Sequence, residues 1–430
     1  MQNEIEKLLV SVAFKIGTLN EAKRLYANKL APDFNIFDYL RGDEMGLSRC
    51  IANLLNPTGT HGQGSLFLDE FLKRIDKASS ENESDKNWAN TTTDGCQVSL
   101  EKQANGQRRI DVYLRFNNGE IIGIENKPWA CDQEDQLKEY ADYIKNQIKP
   151  SKWLLIYLSN FNPANSEYSI STPQRKELEK SGNFVWLNYA ELIEWLEFCA
   201  QNSKALNVRI FIEELAKFVR SKINGELDMS DALEVKNTIL KSADNLKSAI
   251  QVSKVIKNVK EGLIEMFHND LKKKLEDKSF ILVWDESMSK GWKGQCSFGV
   301  KFNESQNSYL RFEFEYSGLH SLYWGIKRET EHIEFDEATW NEIHVLMNEF
   351  GSARKNVRWA WWNFIDDNQE FSSDFRNWDI SEAPWISMMP ETNENEKLAT
   401  KISNLAIRAN IIFKNHTNPN LLSGGVSNSP

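Results

Sequence analysis

No apolar run in the chain approaches the roughly 18 residues that a membrane-spanning helix requires. Its opening, MQNEIEKLLVSVAFKIG, has neither a basic start nor a small-residue cleavage site, so no signal peptide is expected. Cysteine is scarce. The five present (Cys50, Cys96, Cys131, Cys199, Cys296) are odd in number, scattered and without metal-ligand spacing. They suit buried thiols in a reducing cytoplasm rather than a disulfide framework. Also missing are a Walker loop, Cys/His zinc spacing, a nucleophile elbow and an internal repeat, which removes P-loop, zinc-module, serine-hydrolase and solenoid readings. Positive charge is in deficit. The net charge of −10 argues against a large nonspecific nucleic-acid surface, while leaving room for local phosphate contacts.

What is present is an ordinary globular composition, 40% hydrophobic and 27% charged over 430 residues, enough for two domains with a sizeable core. The most organised stretch is RRIDVYLRFNNGEIIGIENK, residues 108 to 127. Both arms alternate apolar and polar residues with period two, the mark of half-buried strands. Asn117-Asn118-Gly119 between them is a turn with glycine where a left-handed residue is needed.

A three-residue loop pairs Phe116 with Glu120. Val112 then faces Ile124 and Leu114 faces Ile122 on an apolar side, with Ile110 in line. On the other side Asp111 faces Glu125 and Arg109 faces Lys127. A two-residue loop would set Asp111 opposite Asn126 and mix the two sets. Opposed carboxylates repel unless a cation or proton lies between them. Grouped oxygen ligands suit a hard divalent ion, and a lysine on that face can stabilise an anionic transition state. The plain alternative is a ladder of opposite charges on a solvated sheet face.

Asp111 followed by Glu125-Asn126-Lys127 resembles the core of the PD-(D/E)XK nuclease superfamily. Gln136-Leu137-Lys138-Glu139-Tyr140, in the stretch that begins at Cys131, resembles its Gln-x-x-x-Tyr helix. Asn35 to Asp38, Glu44 to Ser48, Leu54 to Pro57 and His61-Gly62 resemble the N-terminal signature of one bacterial branch. Leu47 departs from that branch, which commonly has histidine before the serine. The ordered set is far more specific than the Asp and Glu-x-Lys spacing alone.

The resemblance implies a metal-dependent nuclease with Glu44, Asp111, Glu125, Lys127, Gln136 and Tyr140 as catalytic residues. The metal ligands would be Glu44, Asp111, Glu125 and the Asn126 carbonyl, holding Mg2+ with Mn2+ able to substitute. DNA is the expected substrate and RNA the open alternative; restriction or anti-phage defence is a plausible setting. A homo-oligomer or a protein partner is compatible with this reading, a membrane is not, and the expected location is the cytoplasm. Gln136 and Tyr140 would line the substrate side and brace the lysine strand.

Around this core, residues 1 to 30 read as one amphipathic helix with Ile5, Leu8, Leu9, Val12, Ala13 and Ile16 on its stripe. Residues 44 to 55 read as a helix stopped by Asn56-Pro57. Residues 77 to 95 read as a polar, mobile surface loop, and residues 97 to 103 as a strand in which Glu101 is a further candidate carboxylate. A helix is expected over 132 to 147, with Gln133 sharing the face of Gln136 and Tyr140. The run Trp153 to Ser159 suits a strand buried on both faces. Another strand is expected at 184 to 188 and helices at 189–202 and 206–222. Arg41, Arg49, Arg108, Arg109, Arg115 and Lys138 fall in or beside the site region, as phosphate contacts or as solvated charges. His61, alone in a Gly-rich loop, suits a structural role.

The expected fold is an α/β restriction-endonuclease-like core, a mixed sheet flanked by helices, followed by a C-terminal α+β domain with an antiparallel sheet. The divisions are 1–225 for the nuclease-like domain, 226–278 for a helical connector, 279–414 for the C-terminal domain and 415–430 for a disordered tail. Strands are expected at 279–285, 294–303, 308–317 and 321–328. The second half holds nine of the 14 tryptophans. Trp359, Trp361 and Trp362, near Arg354, Lys355 and Arg358, could stack on bases or fill a core. The rival to an enzyme is a catalytically silent nuclease-fold module that binds nucleic acid or scaffolds a larger complex.

Overall fold

The computed structural model describes residues 2–423, apart from 32–33, 40–43, 80–86, 105–107, 129–132, 148–151, 166, 228, 291, 293–295, 330–334, 352–353, 357, 417 and 419–420. Arg41, Cys131 and Asp132 therefore lie outside the described residues. Contacts group the chain into two compact units, Phe14–Glu234, and Met1–Ala13 with Val235–Pro430.

The helix expected over residues 1–30 is two, α1 (Gln2–Leu25) and α2 (Ala27–Leu30), interrupted at Tyr26, whose ψ of 11° leaves the helical range. Of the expected stripe only Leu8 is buried, and Leu9 is 52% exposed. Helix α3 (Glu44–Leu55) has the expected bounds and buries Leu47, Ser48, Ile51, Leu54 and Leu55 on one face. Helix α4 (Leu66–Ser79) is new. Its buried residues Phe67, Leu68, Phe71, Leu72 and Ile75 recur at helical spacing.

The sheet of this unit has the order β1 (Gln97–Gln103), β2 (Arg109–Arg115), β3 (Ile121–Lys127), β4 (Trp153–Ser159), β5 (Phe184–Leu187). The first three strands run antiparallel, and β3, β4 and β5 run parallel. Parallel neighbours need crossovers. These are α5 (Gln136–Lys145) between β3 and β4, and α6 (Thr172–Lys180) between β4 and β5. Helices α7 (Tyr189–Asn202) and α8 (Leu206–Phe218) follow, the latter running into a π-turn at Val219–Ile223. One sheet face packs Val112, Leu114, Ile122, Ile124, Ile156 and Leu158 beneath α3, α4 and α7. The other packs Ile110, Tyr113, Ile121, Leu155 and Tyr157 beneath α5.

Two expectations about this sheet are corrected. Strand β2 does not keep one alternation: Ile110 packs with Tyr113 toward α5, not with Val112, so the face switches at Asp111. Of the expected surface loop over residues 77–95, residues 87–95 form neither helix nor strand, as a loop should, but they do not lie wholly at the surface. The Asp76 carboxylate takes the backbone N–H of Trp88 and Ala89, each at 2.7 Å, and Trp88 is 1% exposed beneath the Lys152 ammonium. Short polar residues read as loop, but Thr91 and Thr93 are themselves buried, and Thr93 donates to Asp69.

The second unit carries α9 (Met229–Leu240) from Val235 onward and α10 (Ala243–Glu276). A wholly antiparallel sheet follows, formed by β6 (Ile281–Trp284), β7 (Ser297–Lys301), β8 (Ser308–Tyr316) and β9 (His320–Arg328), at the four expected segments. After α11 (Glu337–Met347) come β10 (Arg354–Asn356) and β11 (Trp359–Phe364), and the order is β10-β11-β9-β8-β7-β6. Helices α12 (Ala383–Ile386) and α13 (Leu398–Lys414) complete the unit. The run Trp-Ala-Trp-Trp hid strand β11, because it does not alternate. Trp359 and Trp361 are 4% and 0% exposed, so these rings are buried and not open for stacking. The expected disordered tail is corrected at Leu421 and Leu422, both 4% exposed in the core of this unit. The Leu422 carbonyl accepts the N–H of Asn307 and of Ser308. Residues 424–430 lie outside the described residues. Among the described residues no helix is long and apolar enough to cross a membrane.

Candidate functional site

The hairpin has the three-residue loop. The Phe116 N–H bonds the Glu120 carbonyl at 3.0 Å, and the Gly119 N–H closes on the Phe116 carbonyl at 3.0 Å, with Gly119 at φ 88°. Val112 opposes Ile124 and Leu114 opposes Ile122, as expected, but the ladder ends there. Asp111 does not face Glu125 across a continued ladder. Its Oδ2 accepts the Asn126 backbone N–H at 2.7 Å instead, so a carboxylate stands where the next strand bond would be. Arg109 and Lys127 likewise part company: Arg109 reaches Glu101 at 3.7 Å on the exposed side, while Lys127 is 5% exposed.

On β3 the pleat sends Glu125 and Lys127 one way and Asn126 the other. Gly123 shares the Glu125 side, where a Cβ would come within 2.7 Å of Ile144 Cδ1. A glycine there lets α5 lie close, and the first residue of α5, Gln136, then reaches Glu125. Its Nε2 donates to Glu125 Oε1 at 2.7 Å and to the Tyr140 hydroxyl at 3.2 Å. Its Oε1 accepts the Gln133 N–H at 3.1 Å, and the Tyr140 hydroxyl donates to the Arg109 carbonyl. Helix α5 starts at Gln136 and not at residue 132, because Asp135 is left-handed at φ 54°. Gln133 therefore serves through its backbone in the preceding turn, not from a helix face.

Glu44 enters from the first turn of α3. Lys127 Nζ lies 2.7 Å from Glu125 Oε1 and 3.2 Å from Glu44 Oε1. One carboxylate oxygen from each of Glu44, Asp111 and Glu125 fits within a 4.8 Å spread. Burial pushes the Asp111 carboxyl up to about 7, the Lys127 ammonium pulling it down and Glu44 adding to the rise. Burial likewise raises Glu125 well above the carboxylate range, with Asp111 adding to it and Lys127 opposing. Burial works against the charge on Lys127, but Glu125, Glu44 and Asp111 outweigh it and the ammonium is held more firmly than usual. Three carboxylates thus share one cation, and Glu125 Oε2 is buried without a hydrogen-bond partner. Hard oxygen donors, excess negative charge and an orphaned buried oxygen fit a divalent cation of the magnesium class.

On the opposite side of β3 lies a brace that sequence reasoning missed. The Asn126 Nδ2 donates to Ser48 Oγ at 2.9 Å and the Glu44 carbonyl at 3.3 Å, and its Oδ1 accepts from the Tyr189 hydroxyl. Asn126, Ser48 and Tyr189 are 0%, 1% and 0% exposed. The brace ties the carboxyl end of β3 to the helices carrying Glu44 and Tyr189. A signal for Tyr189 existed. Asn188-Tyr-Ala-Glu191 forms a capping box that opens α7 directly after β5, and β5 ends on the same sheet edge as β3.

The remaining candidates are not at the cluster. Glu101, left-handed at φ 51°, pairs with Arg109 and feeds Asp111 only through its charge. Arg108 pairs with Glu139 at 2.9 Å and Lys138 with Asp135 at 3.2 Å. Arg49 is exposed, and Arg115 ends β2 at its far end from Arg109. His61 is structural: Nε2 faces the Asn56 carbonyl at 2.8 Å, Nδ1 accepts the Gln63 N–H at 3.1 Å, and the ring packs on Phe67.

A mixed sheet presenting Asp111 and Glu125-Asn126-Lys127 at one edge, with a helix glutamate above and Gln136–Tyr140 behind, defines a nuclease-type fold. Residues 34–217 match the model of the PD-(D/E)XK nuclease superfamily. No curated protein and no solved structure matches the chain at a level that carries an argument.

Proposed function

We propose that the protein hydrolyses nucleic-acid phosphodiester bonds with a divalent metal, magnesium by preference, and that DNA is its substrate. The observation that carries this reading is the oxygen cluster of Glu44, Asp111 and Glu125 beside a buried ammonium. Those three side chains, with the Asn126 backbone carbonyl, would hold the ion. Such an ion supplies Lewis-acid polarisation of a phosphate oxygen and acidification of water.

The protein's own groups do the rest. Lys127, held cationic by its three carboxylates, stabilises charge developing on the phosphoryl oxygens. Gln136 and Tyr140 keep Glu125 and the start of β2 in register, and the Asn126 N–H aims Asp111. A site of catalytic geometry is one that its supporting hydrogen bonds hold rigid. Restriction or anti-phage defence in the cytoplasm remains the setting that the family resemblance suggests.

The test is incubation of the purified full chain with DNA and with RNA, single- and double-stranded, in magnesium, manganese or chelator. Metal-dependent cleavage of DNA is expected, with Lys127→Ala at least about a hundredfold slower and still folded by its thermal melt. Equal behaviour of wild type and Lys127→Ala on every substrate would sink the enzyme reading and favour a silent binding module. Cleavage confined to RNA would overturn the substrate.

A further inference from the structure

The three carboxylates of the cluster are not held alike. Glu125 stands on β3 and takes the Gln136 amide at 2.7 Å, and Asp111 takes the Asn126 N–H at 2.7 Å. Glu44 comes from another element, the first turn of α3, and the polar partner of its carboxylate is the Lys127 ammonium at 3.2 Å. Where that carboxylate lies therefore depends on where α3 lies. Leu47, Ile51, Leu54 and Leu55 hold the helix on the sheet, but apolar burial is non-directional. Hydrogen bonds set distance and angle together, and the Asn126 amide supplies them. Its Nδ2 carries two N–H groups and reaches two acceptors one turn apart on α3, Ser48 Oγ at 2.9 Å and the Glu44 carbonyl at 3.3 Å. Its Oδ1 takes the Tyr189 hydroxyl, which fixes the edge of the amide that faces α3. An amide turned over would set its oxygen against the Glu44 carbonyl. Asn126, Ser48 and Tyr189 are sealed from water, so no solvent replaces a contact that is lost.

We propose that Ser48 and Tyr189 are positioning residues for Glu44. Acting through the Asn126 amide, they set the place of the Glu44 carboxylate and thereby the affinity of the cluster for a divalent ion. Neither residue touches the cluster, and both act on the one carboxylate that β2 and β3 do not carry. The proposal rests on the metal reading of the cluster given above. It also gives the residue between Glu125 and Lys127 a duty for its side chain, on the side of β3 away from the carboxylates. An aspartate of the same shape at 126 would set an acceptor against the Glu44 carbonyl. Partners that orient a ligand without touching the metal are worth as much to a site as many ligands are.

The full chain is titrated with magnesium and with manganese by calorimetry, without nucleic acid and below the thermal midpoint of each variant. Ser48→Ala and Tyr189→Phe are each expected to weaken metal binding about tenfold. With Glu44→Gln already in place, the same two changes are expected to weaken it by less than about twofold, because the ligand they act on is gone. Tyr189→Phe keeps the ring and carries the test should Ser48→Ala not fold. Equal losses in the two backgrounds would mean a general loosening of the fold and would overturn the proposal. Variants that bind as tightly as a metal-binding wild type overturn this proposal alone. A wild type that takes up neither metal overturns it together with the nuclease reading.

Discussion

Replacing Asp111 with asparagine should make the metal-free protein more stable at pH 8, although it removes a charged group from the candidate site. Asn Oδ1 can still accept the Asn126 N–H that Asp111 accepts at 2.7 Å, so what changes is the cost of a buried charge. In the folded chain the Asp111 carboxyl is held up at about 7, against an ordinary 3.8, chiefly by burial. Between those values the folded state keeps a proton that the unfolded state has lost, so stability falls as pH rises through that window. Above it both states are ionised and the whole cost is present. At 1.36 kcal/mol per unit the cost is on the order of 4 kcal/mol, an upper bound because water and neighbours relax. A gain of about 2 kcal/mol, or ~4–8 °C for a unit of this size, is expected at pH 8. The gap should shrink by more than half at pH 5, where the folded carboxyl is protonated. Saturating magnesium should reverse the order, raising wild type by about 2.7 kcal/mol at a hundred times Kd and leaving Asp111→Asn unmoved. Differential scanning calorimetry at pH 5 and 8, with and without magnesium, measures all three effects. An Asp111→Asn melt at pH 8 no higher than wild type would refute the reasoning.

Other consequences follow from named contacts. Tyr189→Phe removes the hydroxyl bonded to Asn126 and should cost about 1–3 kcal/mol by leaving a buried amide oxygen short of a donor, read by urea unfolding. A parallel loss of cleavage would mark Tyr189 as positioning the β3 edge. Gly123→Ala, meeting Ile144 Cδ1 at 2.7 Å, should cost about 1–3 kcal/mol. Ile144→Val in the same chain should recover part of that, and no recovery would locate the strain elsewhere. Leu421→Ala should destabilise the second unit by about 2–4 kcal/mol, whereas a melt equal to wild type would return that segment to the status of a tail.

The hairpin was legible because an antiparallel pair is local. Turn length, glycine placement and period-two patterning determine the register of Val112 against Ile124 without reference to anything distant. The helix of Glu44 was legible for the same reason, a 3.6 period stopped by Asn56-Pro57. Helix α4 carried its own signal, apolar residues at helical spacing, whereas strand β11 and the burial of the threonines in the loop after α4 escaped the reading of the chain, because polar and aromatic residues there are buried by partners remote in sequence.

By itself, then, the sequence determined which residues would be neighbours along each element and which residue types could meet at the end of β3. The tertiary structure decided how they meet. The ladder stops at Val112, freeing the Asp111 carboxylate to take the Asn126 N–H. Ile110 turns to the opposite face, and α7 lays Tyr189 on Asn126 from 63 residues away. Those choices belong to packing: where a strand ends depends on which helix covers it, and no periodicity within the strand records that.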